Sequence, residues 1–253
     1  MSLPHTIHGT ELEPYNTYST AQRWIPGQRM ELPDGRIYRG ALEDGNGLES
    51  CNLTQSEVQA TFVGLAIQTA LVVGDRSIKL TNATTFLALD EAKGGYVSVW
   101  TTGTPPVNGQ TYRVWSNNVT VTSGGTTTAT LQLWPGVTVK EAVTVASGKG
   151  SIVINPWRNI IVAPASTATG LYTGVTLVDV TASYYCWLQT RGVCGVVNDD
   201  GSGAFDPGDG ITVSSALDTG AVENADPADF QLLGHAINDA AQDDIGFVFL
   251  LID

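Results

Sequence analysis

A chain of 253 residues, 42% apolar and 15% charged, can bury a core as one large β-domain or two smaller ones and is too apolar for disorder. Its net charge of −13, from 25 Asp and Glu against 12 Lys and Arg, leaves no basic stripe, which argues against nucleic acid and anionic membrane as partners. Three cysteines cannot all pair, and residues 1–5 show no basic region leading into an apolar run. The expectation is a soluble protein made in a cytoplasm with free thiols, in which the sequons at Asn52, Asn82 and Asn118 carry no meaning.

Residues 1–50 lack a sustained period and hold Pro4, Pro14, Pro26 and Pro33. Prolines break helices and deny ladder hydrogen bonds. The aromatics Tyr15, Tyr18, Trp24 and Tyr38 still need somewhere to bury, and Arg23, Arg29, Arg36 and Arg39 are a third of all cations. This reads as an extended N-terminal arm that docks on its own body or on a neighbour. Its candidate contact residues, on a partner or on a neighbouring protomer, are Tyr15, Tyr18, Trp24, Arg29, Arg36, Tyr38 and Arg39. An irregular lead-in would show the same letters.

Over 53–73 the pattern stays open between helix and strand. Thr54-Gln55-Ser56-Glu57 has capping-box form, and Val58, Phe62, Leu65, Ala66, Thr69 and Val73 share a helical face. The β-branched and Gly content suits strands equally. Its most apolar window, 58–73, is too short to span a bilayer. From 76 to 155 the spacing predicts strands at 77–80, 96–100, 112–115, 119–122, 128–134, 137–145 and 152–154, separated by Gly94-Gly95, the Pro105–Gly109 run, Ser123-Gly124-Gly125 and Ser147-Gly148. Further strands are predicted at 160–162, 174–180, 184–188, 211–214, 232–237 and 247–252. Short strands with turn signals and no βα alternation predict an all-β fold, an antiparallel sandwich or barrel. By composition the chain divides into an arm (1–50), a β-rich body (51–183) and an acidic C-terminal β region (184–253) that would also fit a second small β-domain. All twelve Lys and Arg lie at or before Arg191, and the 62 residues after it (192–253) hold twelve Asp and Glu.

The motifs of common catalytic sites are missing: no Gly-x-Ser-x-Gly, no Walker A, no His-Glu-x-x-His. No catalytic residue and no cofactor is assigned, and the expectation is a non-enzyme. His5 and His8 sit in the N-terminal segment, and His235 in an apolar run reads as a core or surface histidine. Cys186 and Cys194, with seven residues between them, have the wrong spacing for a redox or zinc pair and read as small buried hydrophobes. Asn198, Asp200, Ser202, Asp206 and Asp209 occupy the oxygen positions of an EF-hand-like loop, a calcium alternative to a plain Asx/Gly turn. The tryptophans on or beside strands (Trp100, Trp115, Trp134, Trp157, Trp187) suit packing anchors, and an exposed one would suit a sugar.

Four stretches carry a resemblance. They are Gly27-Gln28-Arg29 with Asp34-Gly35-Arg36-Ile37-Tyr38-Arg39; residues 73–80 with 94–99 and 109–117; Trp187-Leu188-Gln189-Thr190-Arg191-Gly192; and Pro207-Gly208-Asp209 with Gly234-His235-Ala236-Ile237 and the apolar last strand. In this order the chain resembles the head decoration, or cement, proteins of tailed-bacteriophage virions. Arg191 departs from the pattern, standing where an aromatic is expected. The resemblance implies a structural protein on the outer face of an assembled capsid, with the major capsid protein as partner. It also implies self-association, often as a homotrimer, after synthesis in the host cytoplasm. A tail or fibre protein binding host surface glycans is the alternative.

Overall fold

Short strands joined by turns build two sheets in the computed structural model, which describes residues 6–19, 23–59, 62–82, 87–123, 126–165, 168–199, 206–215, 219–225 and 231–253. In chain order these are β1 (Thr6–His8), β2 (Arg29–Glu31), β3 (Ile37–Glu43) and β4 (Leu53–Gln55); then β5 (Leu65–Ile67), β6 (Ser77–Asn82), β7 (Tyr96–Thr101), β8 (Val107–Asn117), β9 (Val121–Ser123), β10 (Thr126–Leu133) and β11 (Gly148–Val153). The chain ends with β12 (Arg158–Val162), β13 (Tyr172–Thr176), β14 (Tyr185–Val197), β15 (Gly210–Val213), β16 (Val222–Asn224), β17 (Gly234–Ala236) and β18 (Ile245–Leu251). Among the described residues the only helical element is a 3-10 turn at Glu13–Tyr15. The fold is all-β, as composition and turn spacing predict. It forms two compact units, one of Met1–Val58 with Pro156–Asp253, the other of Gln59–Asn155. Residues 1–50 and 184–253, which composition sets apart, therefore share a unit, and the stretch 51–183 is divided between the two.

The Gln59–Asn155 unit is a closed barrel. Its strands run β6-β5-β11-β7-β8-β10, and β10 pairs back onto β6 with Leu131 opposite Ile78. Closing six antiparallel strands leaves no open edge within the ring. Alternate residues fill the interior, among them Ile78, Leu80, Val97, Val99, Val114, Leu131 and Ile152. The ambiguous segment takes the strand form here, because Leu65 and Ile67 point inward and Ala66 outward. The strand expected at 137–145 does not form. With β6 and β10 already paired, this segment finds no free edge within the ring, and it is held instead by a single bridge (Val143 with Leu71), by backbone bonds of Val139 with Gly74 and Asp75, and by the Gln110 side chain. The two ends of the unit are fastened together. The Gln59 side-chain amide donates to the Ile154 carbonyl at 3.2 Å, and the Ile154 amide donates back to Gln59 Oε1 at 2.6 Å.

The other unit is an eleven-stranded sheet ordered β1-β2-β3-β12-β4-β13-β14-β18-β17-β15-β16, with β3 also paired to β14. Strand β14 is its spine. The first half pairs with β3 (Trp187 opposite Gly40) and β13, and the second half with β18 (Val193 opposite Phe249). The hand-over falls at an irregularity between Gln189 and Arg191, followed by Gly192 at φ +91°. Glycine reaches that left-handed region without a Cβ penalty, so the strand can turn from one partner to the next.

The described part of the expected arm is built into this sheet, so an extended arm standing off the body is not what residues 6–19 and 23–50 form. Strand β3 is flanked by β2, β12 and β14, and Trp24, Met30, Leu32, Tyr38 and Trp187 form one buried cluster. Of the two destinations open to the arm, Tyr18, Trp24 and Tyr38 reach their own body. Composition could not show this, because the β3–β14 pairing spans about 150 residues of chain.

Candidate functional site

The arm residues singled out in the sequence divide into buried anchors and a small exposed remainder. The Trp24 indole stacks on Trp187 with centroids 4.3 Å apart and 25° between planes, and Tyr18 meets Trp24 edge-on at 5.2 Å. Gly40 lies beneath this stack, where a Cβ would fall 2.0 Å from Trp24 Nε1. Tyr38 is fully buried and donates from its hydroxyl to Gln189 at 3.3 Å, and that burial pushes its pKa up. The arginines are engaged within the unit. Arg29 pairs with Glu31 at 3.3 Å, and Arg36 with both Asp34 and Glu11. Burial pulls the Arg36 guanidinium down, but its two carboxylate partners hold it above the ordinary value. Arg39 grips Asp253 with two bonds of 2.7 and 2.8 Å while lying over the Trp157 ring. The Arg39 bond holds the Asp253 carboxyl below its usual range. That leaves Tyr15, with its neighbour Leu12, as the exposed apolar part of this segment.

Thiol chemistry finds no support, and the calcium alternative falls partly outside the described residues. Cys186 and Cys194 are buried and all three cysteines are free. Burial pushes the Cys186 thiol up to about 12 and raises Cys194 and Cys51 as well, the opposite of what a reactive thiolate requires. Of the calcium alternative, Asp200 and Ser202 lie outside the described residues. Asn198 is buried, and its side-chain amide donates to the Ala240 and Ala241 carbonyls at 3.0 and 3.2 Å. Asp206 and Asp209 close a turn on each other, and among the described residues no group of three His, Cys, Asp or Glu converges on a metal position. No helix among them is long and apolar enough to cross a membrane.

Sequence reasoning placed β18 as a strand and missed its surface. Burial along it alternates without a break, with Gly246, Val248 and Leu250 facing the core. Ile245, Phe247, Phe249 and Leu251 face outward, 56, 51, 40 and 43% exposed. Directly opposite residues share a face. Val193 on β14 and His235 on β17 thus flank Phe249, and Arg191 stands beside Leu251. Ile237, whose amide donates to the Phe247 carbonyl, continues the row. Leu232 lies over Gly210, the residue opposite His235. The signal was present in Phe247-Val248-Phe249-Leu250-Leu251-Ile252, since an unbroken apolar run reads as a strand covered on both faces. Arg191 is exposed here, so the missing aromatic leaves no hole in the core.

The barrel carries a second surface. Trp115 alone among the six tryptophans is exposed, and it meets Trp134 edge-on at 4.9 Å. The Arg113 guanidinium lies 4.1 Å over Trp134, and Lys93 lies 5.9 Å from the Trp115 ring centre. Tyr96, opposite Arg113 on β7, is exposed beside them.

No protein-family profile, curated protein or solved structure matches the chain.

Proposed function

We propose that this chain is a structural, non-enzymatic virion protein that binds the outer surface of an assembled phage capsid and stabilises it. Its partners are the major capsid protein and further copies of itself. The observation that carries this reading is a convergence. The stretches of the resemblance lie far apart in sequence, yet those in the first, third and fourth groups fall on β2-β3, β14, β18 and β17, a connected run of one sheet. Those of the second group fall on β6, β7 and β8 of the barrel. In the large sheet, and for β7 and β8 in the barrel, the resemblance follows structural neighbours, as a shared fold would. A shell contact needs broad, low-charge β surface and exposed apolar side chains, which Leu12 and Tyr15 supply at the 3-10 turn.

The test is co-sedimentation with capsids assembled without this protein. Saturable binding to assembled capsids, little binding to free capsid subunits, and loss of binding in a Leu12→Asp/Tyr15→Asp double variant are expected. Equal binding to free subunits, or none to capsids, refutes the reading. The exposed Trp115–Trp134 pair favours the tail or fibre alternative, because an indole face flanked by cations can stack a sugar. Glycan binding that disappears in Trp115→Ala would support that alternative.

A further inference from the structure

We infer that the outer face of β14, β18 and β17 is a self-association surface, covered by the same face of a second copy of this chain in a two-fold pair. The inference deepens the self-association part of the reading above and rests on that reading only for the expectation that copies meet at all.

The area fits. Val193, Leu232, Ile237, Ile245, Phe247, Phe249 and Leu251 are each about half open. At about 200 Å² for a large apolar side chain they present roughly 600 Å². That reaches the top of what a monomer ordinarily leaves bare, about 300–600 Å². Two such faces together bury roughly 1,200 Å², the lower bound of a specific stable interface. Sheets stack face to face at about 10 Å through interdigitated side chains, and β18 offers four such side chains in a row.

Charge selects the occupant. A chain of net charge −13 repels its own copies, and that repulsion is weakest across this face, whose middle carries no Asp, Glu, Lys or Arg. Its ends differ in charge once the Arg39–Asp253 pair just beyond Leu251 is taken as neutral. Arg191 stands at the Leu251 end, and the exposed Asp243-Asp244 precede Ile245 at the other. Arg191 makes no ion pair among the described residues. When two copies stack with their β18 strands antiparallel, Arg191 of each comes to the Asp243-Asp244 end of the other. The contact is isologous, so it closes as a pair, where the resemblance implies a trimer.

Sedimentation velocity on the purified full-length chain tests this without any capsid. Twice the chain mass is expected for the wild type. Phe249→Asp should raise the dissociation constant at least about a hundredfold, with an unchanged circular dichroism spectrum. Val193→Asp, on the neighbouring strand, should do the same and serves if the first variant misfolds. Arg191→Glu should weaken the pair, and Asp244→Lys added to it should restore the pair. A wild-type monomer, a trimer, a pair indifferent to both aspartates, or a charge reversal that restores nothing overturns the inference. If the shell covers this face instead, the wild type is monomeric and Phe249→Asp loses capsid binding, which also overturns it. A pair that ignores capsids refutes the proposed function and leaves the two-fold contact standing.

Discussion

Trp24→Ala tests whether the N-terminal segment is part of the folded body. Trp24 is 5% exposed, stacked on Trp187 and met edge-on by Tyr18. Removing a buried indole costs about 3–5 kcal/mol, of which each aromatic pair contributes about 0.5–1.5 kcal/mol. Gly40→Ala supplies the complementary perturbation. The added methyl would fall 2.0 Å from Nε1 and 2.1 Å from Cδ1 of Trp24, so the stack has to move. Overpacking of that kind costs about 1–3 kcal/mol. With Trp24 already removed the methyl has room, and Gly40→Ala should then cost close to nothing. The assay is urea unfolding followed by circular dichroism for the two single variants and the double. The expected outcome is a coupling of at least about 1 kcal/mol between the two sites. A loss in Trp24→Ala within about 0.5 kcal/mol, as for an ordinary surface residue, together with no coupling, would refute the reasoning and restore a detachable arm.

The Glu43 carboxylate accepts backbone N–H bonds from Gly45, Asn46, Gly47 and Ser183, so Glu43→Gln should destabilise its unit by at least about 2 kcal/mol in urea. Burial pushes this carboxyl up, but the hydrogen bond from the neighbouring Asp44 carboxyl, whose own pKa is raised, and then the backbone N–H bonds outweigh burial and hold it below its ordinary 4.5. Its contribution is therefore present above pH 4.5 and lost as pH falls through the lower folded value, and the variant should lack that acid limb in a pH series. At pH 8 a thiol with a pKa near 12 is thiolate roughly once in ten thousand molecules. Iodoacetamide followed by mass spectrometry should accordingly leave Cys186 and Cys194 unmodified in the native protein and modify all three cysteines in urea. The fragment 59–155, a closed barrel whose ends are tied by Gln59 and Ile154, should fold alone and unfold cooperatively. A spectrum without strand signal or a melt without a transition would count against that.

Local signals were legible and distant ones were not. Alternation in Val97-Ser98-Val99-Trp100 and Thr130-Leu131-Gln132-Leu133 marks β7 and β10 because one face of each meets the core. Cys186 and Cys194 read correctly as buried hydrophobes, since their spacing suits neither a redox nor a zinc pair. The segment 137–145 has strand composition, yet a strand needs a partner edge, and barrel closure removes the one it would use. The burial of Trp24 and Tyr38 depends on β3 lying beside β14, a pairing that no local period encodes. The break in charge at Arg191 was visible in the sequence, whereas its place beside Leu251, at the end of an uncharged face, needed the register of β14 on β18.

The central claim is the place of this protein in a virion. Imaging of purified particles at subunit resolution tests it most directly. The account expects density for both β-units on the outer face of the assembled shell, in contact with the major capsid protein and absent from particles that lack this chain. Density confined to the tail, or a shell identical with and without the chain, would contradict it.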